Sequence, residues 1–230
     1  MDNNNIKLSK SDITKYTSYF SANLIRNVVF FSGGILMFIA GCIIYGIILN
    51  LREIPLNQAA AEKGFVNLKY ANILIDRSAY KLLLYNDTVL IKSYKANFGR
   101  NINVPKCKAG DLATPVGEYK ICDIDTTSKY HIFLKIDYPN LIDAREALRK
   151  GVINQSVFDK LKFDYDFNLC PDSSTYLGGN VGIQGIGRLD FVFRYLPLNY
   201  NWTDGSVAIS NEDIDELYSV VKKGTKVVIK

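Results

Sequence analysis

The chain has 230 residues, of which 48% are hydrophobic and 22% charged, and a formal net charge of +5. This balance excludes a largely disordered chain, and the length suits one domain with a sizeable core plus an extra segment. The positive residues are scattered without a dense Lys/Arg block, so mild attraction to anionic surfaces is expected and a nucleic-acid partner is not.

Residues 1–26 are polar and rich in Asn, Lys and Ser, and read as a cytoplasmic tail. Residues 27–51 follow as a transmembrane helix, with no charge from Val28 to Leu51. A helix of that length covers about 36 Å, enough for a roughly 30 Å hydrocarbon core with some tilt. Lys7, Lys10, Lys15 and Arg26 precede it, whereas Arg52 is balanced at once by Glu53. The positive-inside bias therefore predicts a single-pass protein of the inner (cytoplasmic) membrane, N-terminus in, with the rest in the periplasm or extracytoplasmic space. A competing reading is a lipoprotein anchored at Cys42, since "IAGC" at 39–42 resembles a lipoprotein cleavage box. Against it, the sequence stays apolar for nine residues past Cys42, and the leader is longer than a usual signal peptide.

Residues 52–64, with Pro55 and "NQAAAEKG", predict a connector with a short helix ending at Gly64. Residues 65–230 form the predicted domain. Short β-rich runs open it, with a turn at Asn86–Asp87 between Lys81–Tyr85 and Thr88–Tyr94. "GDLATPVGEYKICDI" is a Gly/Pro loop feeding a strand, and "KYHIFLKIDYPN" is another strand stopped by Pro139. A helical interlude follows: Asp143–Lys150, ended by Gly151, then a helix capped by Asn154. "LGGNVGIQGIG", 177–187, is strand-like, and its glycines imply close backbone approach. Ser210 and Asp213 form a capping-box pattern ahead of Ile214, Leu217, Tyr218 and Val221, one apolar helix face. Acidic residues crowd the start of that helix, Lys222 and Lys223 its end, and Gly224 precedes a closing strand, "TKVVIK". The pattern predicts a β-dominated mixed α+β sandwich or barrel with helical trim.

Cys107, Cys122 and Cys170 follow the apolar segment, without a C-x-x-C pair, and His131 is the single histidine. No metal site and no cofactor are expected. Three thiols in an oxidising compartment allow one disulfide and one leftover, with the pairing open. Buried unbonded residues are the bland alternative for each.

The stretch from about Asn72 to Lys230 resembles the L,D-transpeptidase catalytic domain (YkuD-like) family. "GDLATPVGEY" resembles its G-D-x-x-T-P-x-G-x-Y segment, and "GGNVGIQGIG" the segment that normally reads I-G-I-H-G. "TDGSVAISNEDIDEL" resembles the terminal block x-x-G-C-[IV]-[RA]-[ML]-x-N-x-D. The resemblance implies a β-sandwich with a cleft and acyl transfer on peptidoglycan stem peptides. In that chemistry a cysteine attacks an amide next to a D-amino acid, a histidine activates it, and backbone N–H groups stabilise the oxyanion.

This chain departs from the pattern at both reacting positions. The nucleophile's position holds Ser206 and the base's position holds Gln184. A serine hydroxyl needs a general base where a thiol is already partly ionised, and glutamine cannot take a proton. Losing general-base help alone removes about 10²–10⁴-fold. Candidate site residues are Ser206, Gln184 and the turn glycine Gly205 for catalysis, with Gly185, Asp204, Val207 and Ala208 binding substrate. His131, on another strand, reads as a strand residue with a satisfied ring rather than a base, and Asp204 as a turn-former. Cys107, between Lys106 and Lys108, is the other thiol whose pKa its neighbours could lower. Phe191, Phe193, Tyr195 and Trp202 read as core, as a lid, or as a plug in the cleft. The sequence therefore implies a membrane-anchored protein of the bacterial envelope that binds peptidoglycan stem peptides, with an envelope protein as a further possible partner and Cys-based transpeptidation lost. The alternative is an active acyl transferase, a transpeptidase or amidase, with Ser206 as nucleophile.

Overall fold

The structure is a computed structural model that describes residues 22–50, 53–195 and 199–230. Most of the expected tail, with Lys7, Lys10 and Lys15, lies outside these residues, as does Arg52. Helix α1 (Ala22–Asn50) runs unbroken through the apolar segment. Its stretch Asn23–Ile48 is long and apolar enough to cross a membrane, compatible with a membrane anchor or a signal sequence.

The remainder is mixed α+β, built on an eight-stranded sheet. The strands are β1 (Ala71–Asp76), β2 (Lys81–Asn86), β3 (Val89–Lys95), β4 (Gly117–Ser128), β5 (His131–Ile136), β6 (Gly182–Gln184), β7 (Val207–Ala208) and β8 (Lys226–Ile229). Their order is β3-β2-β1-β8-β4-β5-β6-β7. Alternation in sequence becomes alternation in burial: Leu82, Leu84, Ile132, Leu134 and Ile136 point into the core while their neighbours face outward. The last strand, β8, is central, parallel to β1 and antiparallel to β4. β4 serves both halves of the sheet. Residues Gly117–Lys120 pair with β8, and after a register irregularity at Ile121–Asp123 the strand continues against β5. Beyond β3, Asn97 exchanges both backbone hydrogen bonds with Ala208, each 2.8 Å, so the chain leaving one edge strand covers the other.

Helix α2 (Leu56–Glu62) buries Leu56 and Ala60 in the same core as β1, β2 and β8, and the Leu56 N–H donates to Glu216 at 3.0 Å. The expected connector is thus packed onto the sheet. Helices α3 (Leu141–Arg149) and α4 (Gln155–Asp166) enclose a second, smaller core around Ala144, Ala147, Ile153, Leu161 and Leu177. A disulfide between Cys122 on β4 and Cys170 beyond α4 ties this insertion to the sheet and resolves the pairing. Cys42 and Cys107 are free among the described residues.

Several local boundaries move. The β2–β3 turn falls one residue later, on Asp87–Thr88, with Asp87 at φ 55°. Helix α3 starts two residues early, at Leu141, because Asn140 caps it in a reciprocal capping box with Asp143. Helix α6 (Asn211–Tyr218), which follows the short α5 (Asp190–Phe193), is capped by Ser210 as expected. It ends at Tyr218, however, leaving that side chain exposed and Lys222 and Lys223 beyond the last turn. Lys223 pairs instead with Asp123.

Candidate functional site

Strands β6 and β7 lie side by side and parallel, with Ile183 opposite Val207 and Gln184 opposite Ala208. Ser206, one residue before β7, therefore falls opposite Gly182, and its Oγ accepts from the Gly182 N–H at 3.3 Å. Side chains two residues apart share one face of a sheet, so Gln184 and Ser206 face the same way. Both are buried and both line one cleft of about 470 Å³. Arg100, Asp125, Lys129, Tyr130, Trp202 and Asp204 complete most of its wall.

The turn that presents Ser206 is held from within. Thr203 Oγ1 donates to the Ser206 carbonyl at 2.5 Å and accepts from the Gly205 N–H at 3.2 Å. The Thr203 backbone is fixed in turn: its N–H donates to Phe98 O and its carbonyl accepts from Arg100 N, both at 3.2 Å. Gly205 sits at φ +126°, and a Cβ there would lie 2.7 Å from the Ala113 carbonyl, so only glycine fits. Behind the same turn is the side chain of Lys106, its Nζ 3.8 Å from that Cβ position. Asp111 receives Lys106 Nζ at 2.8 Å and the N–H groups of Cys107, Lys108 and Ala113. Burial by itself raises the Asp111 carboxyl; these donors outweigh it and hold the group below its ordinary value. Lys106 is thus turned inward to Asp111, and the pairing of Lys106 with Cys107 drawn from their adjacency gives way to this buried ion pair.

The Gln184 side of the site is held by Asn211. Its side chain accepts from Gly187 N at 2.9 Å and donates to Gly187 O at 3.0 Å, while its own N–H donates to Asp190 at 3.0 Å. Gly185 lies between: a Cβ there would come within 2.6 Å of both Asn211 Oδ1 and the Tyr130 carbonyl. Gly185, Val207 and Ala208 are buried in the wall behind Ser206 and Gln184 and do not line the cleft. Val207 and Ala208 belong to the ladder with β6, and the Gly185 N–H donates to the Ile132 carbonyl at 3.2 Å. Asp204 does reach the cleft, where its exposed carboxylate pairs with Arg100 at 2.5 Å.

No lining group among the described residues is an imidazole. His131 starts β5 at φ 77°, and its Nε2 lies 2.8 Å from Asp215 on α6, away from the lining. Its ring is satisfied there, as its strand position implied. Asp125 accepts from both the N–H and the hydroxyl of Thr127 at 2.8 Å. Lys129 sits over the Tyr130 ring, 4.8 Å from its centroid, and Tyr130 packs against Trp202 at 6.0 Å. Of the four aromatics named from sequence, Trp202 alone lines the cleft, as part of its wall. Phe191 is exposed, Phe193 borders a small separate pocket, and the backbone of Tyr195 meets Gly46 of α1. Thr203 and Asn211 were not singled out from sequence, although Asn211 falls on the Asn of the family's terminal block. Both act through backbone hydrogen bonds that residue type alone does not announce.

No curated protein sequence matches the chain. Solved structures similar to it include a point-mutant form of the helical cell shape determining protein Pgp2 from Campylobacter jejuni. It shares 19% identity over 76% of this chain and 54% of that one, with a TM-score of 0.46. An L,D-transpeptidase from Xylanimonas cellulosilytica is similar at 16% identity over 77% and 70%, TM-score 0.40. An L,D-transpeptidase from Stackebrandtia nassauensis is similar at 14% over 76% and 64%, TM-score 0.39. The chain spans about half the length of the first of these. Residues 71–229 match the model of the L,D-transpeptidase catalytic domain, YkuD, and the chain belongs to that family.

Proposed function

We propose that this protein is a membrane-anchored, extracytoplasmic member of the family that binds peptidoglycan stem peptides in the Ser206 cleft and does not perform Cys-based transpeptidation. The observation that carries this reading is that Ser206 and Gln184 line one open cleft, and that the hydrogen bond of the Ser206 hydroxyl among the described residues is accepted from the Gly182 N–H rather than given to a base. His131 is held by Asp215, Asp204 by Arg100, and Lys106 spends its protons on Asp111 and the Lys108 carbonyl. A hydroxyl without a proton acceptor is a poor nucleophile, whereas the cleft itself keeps paired charges and two aromatic rings suited to a peptide with carboxylates and amides. The anchor reading is supported by the unbroken helix through Cys42 and by the Cys122–Cys170 disulfide, a bond typical of oxidising compartments. The basic residues ahead of the span favour the N-in orientation.

The test is to incubate residues 53–230 with purified tetrapeptide stems and follow products and adducts by mass spectrometry. Cutting at 53 retains Leu56 and Ala60, which belong to the core. Wild type is expected to bind without turnover, and Ser206→Cys/Gln184→His to form a thioester. An acyl-enzyme on wild-type Ser206, absent in Ser206→Ala, would instead establish the serine acyl transferase. No binding of any stem by wild type would overturn the ligand assignment.

A further inference from the structure

Gly46 lies two residues inside the apolar stretch that ends at Ile48, about 3 Å along the helix axis. It is buried, and a Cβ there would lie 2.1 Å from the Tyr195 carbonyl, so the backbone of residue 195 rests directly on α1. Cys42 and Ile43, one turn earlier on the same helix face, are half-buried too. The rest of α1 presents its apolar side chains outward, among them Phe30, Phe31, Met37 and Phe38. On the anchor reading of α1, Tyr195 stands near the depth where the span meets the headgroups. Within about one helical turn of it is α5, whose Phe191 is 69% exposed, preceded by Leu189 at 54% and the exposed Arg188. Two large apolar side chains are thus mostly open to solvent at this place.

We propose that the segment Gly187–Tyr195 is an interfacial membrane-docking element, with Leu189 and Phe191 inserted among lipids of the leaflet beside α1. This rests on the anchor reading of α1. Continuity with the span selects lipid as the occupant: a side chain one turn from a residue touching the helix near its membrane exit is already in the interfacial zone, roughly 5–10 Å deep. Arg188 adds attraction to anionic headgroups. Rigidity comes from Arg194, whose side chain is almost fully buried and pairs with Asp190 at 3.5 Å and with Glu212 on α6. The segment also belongs to the connection between Gln184 and Ser206, so docking would fix the orientation of the cleft relative to the bilayer.

Full-length protein in vesicles of phosphatidylcholine and phosphatidylglycerol tests this by tryptophan quenching with lipids brominated on the acyl chains. Trp202, the single tryptophan, is first changed to Phe. Single tryptophans are then placed by Phe191→Trp, Leu189→Trp, Phe38→Trp in the span, and Ile142→Trp on α3, an exposed site remote in sequence. The expected result is strong loss of emission at 38, 189 and 191 and none at 142. Quenching at 38 with none at 189 and 191 would overturn docking while leaving the anchor intact. No quenching at 38 would remove the anchor reading, and docking with it. Quenching at 142 equal to that at 191 would mean the whole domain lies on the bilayer and the assigned element is wrong.

Discussion

The Thr203 hydroxyl donates to the carbonyl of Ser206 at 2.5 Å, three residues along the same turn, and both residues are buried. One side chain thereby holds the backbone of Ser206 and, through the Gly205 N–H, the residue before it. Thr203→Val keeps the shape and leaves both buried backbone groups unpaired. It is expected to destabilise the domain by about 1–3 kcal/mol in urea unfolding. Thr203→Ser should recover most of that loss, since it restores the hydroxyl.

Gly205 carries two separate constraints, its φ of +126° and the Ala113 carbonyl that would meet a Cβ at 2.7 Å. Gly64 carries one, a φ of +82° with open space around it. Gly64→Ala is expected to cost about 1 kcal/mol, the strain alone. Gly205→Ala adds a backbone collision, and should cost at least about 2 kcal/mol more and lower the melting temperature accordingly. Equal effects at the two positions would mean that the turn relaxes freely.

Asp143 completes the cap of α3, accepting from Asn140 N at 3.0 Å and from the Tyr119 hydroxyl at 3.3 Å. Burial dominates these bonds and pushes its carboxyl up to about 6. Unfolded, an aspartate titrates near 3.9. Between the two values the folded chain holds more protons than the unfolded one, so stability falls as pH rises through this window. Asp143→Asn can keep both bonds without the charge. The wild type should therefore lose on the order of 2 kcal/mol relative to the variant between about pH 4 and pH 7, measured by urea unfolding at each pH.

The Cys122–Cys170 bridge closes a separation of 48 residues between β4 and the segment beyond α4. Restricting a loop of that size in the unfolded chain corresponds to about 4 kcal/mol in the chain-entropy model. Cys122→Ser/Cys170→Ser is expected to lower stability by about 2–4 kcal/mol, with the α3–α4 insertion opening first in amide exchange. Uniform loss of protection across the sheet would instead make the insertion integral to the main core.

Local signals read true where a residue's neighbours in sequence are also its neighbours in space. Asn154 and Ser210 cap the helices they precede, Gly205 turns the chain, and the alternating runs of β2 and β5 become strands with one buried face. Motif order was enough to identify the family, and the structure sets Ser206 and Gln184 in one cleft at adjacent strands. Signals weakened where a boundary depended on a cap: Asn140 starts α3 earlier than its apolar pattern implied, and α6 stops at Tyr218 although Val221 extends its apolar face.

The sequence by itself determined the apolar span and the family, since each is a matter of which residues are present and in what order. Only the tertiary structure decided the long-range pairings. Arg100 takes Asp204 across 104 positions, Asp215 takes His131, and Cys170 is the partner of Cys122. The physical reason is that charges, thiols and hydroxyls have several chemically adequate partners in a chain of this length. The packing of the insertion and of α6 against the sheet brings one partner within reach and leaves the others apart.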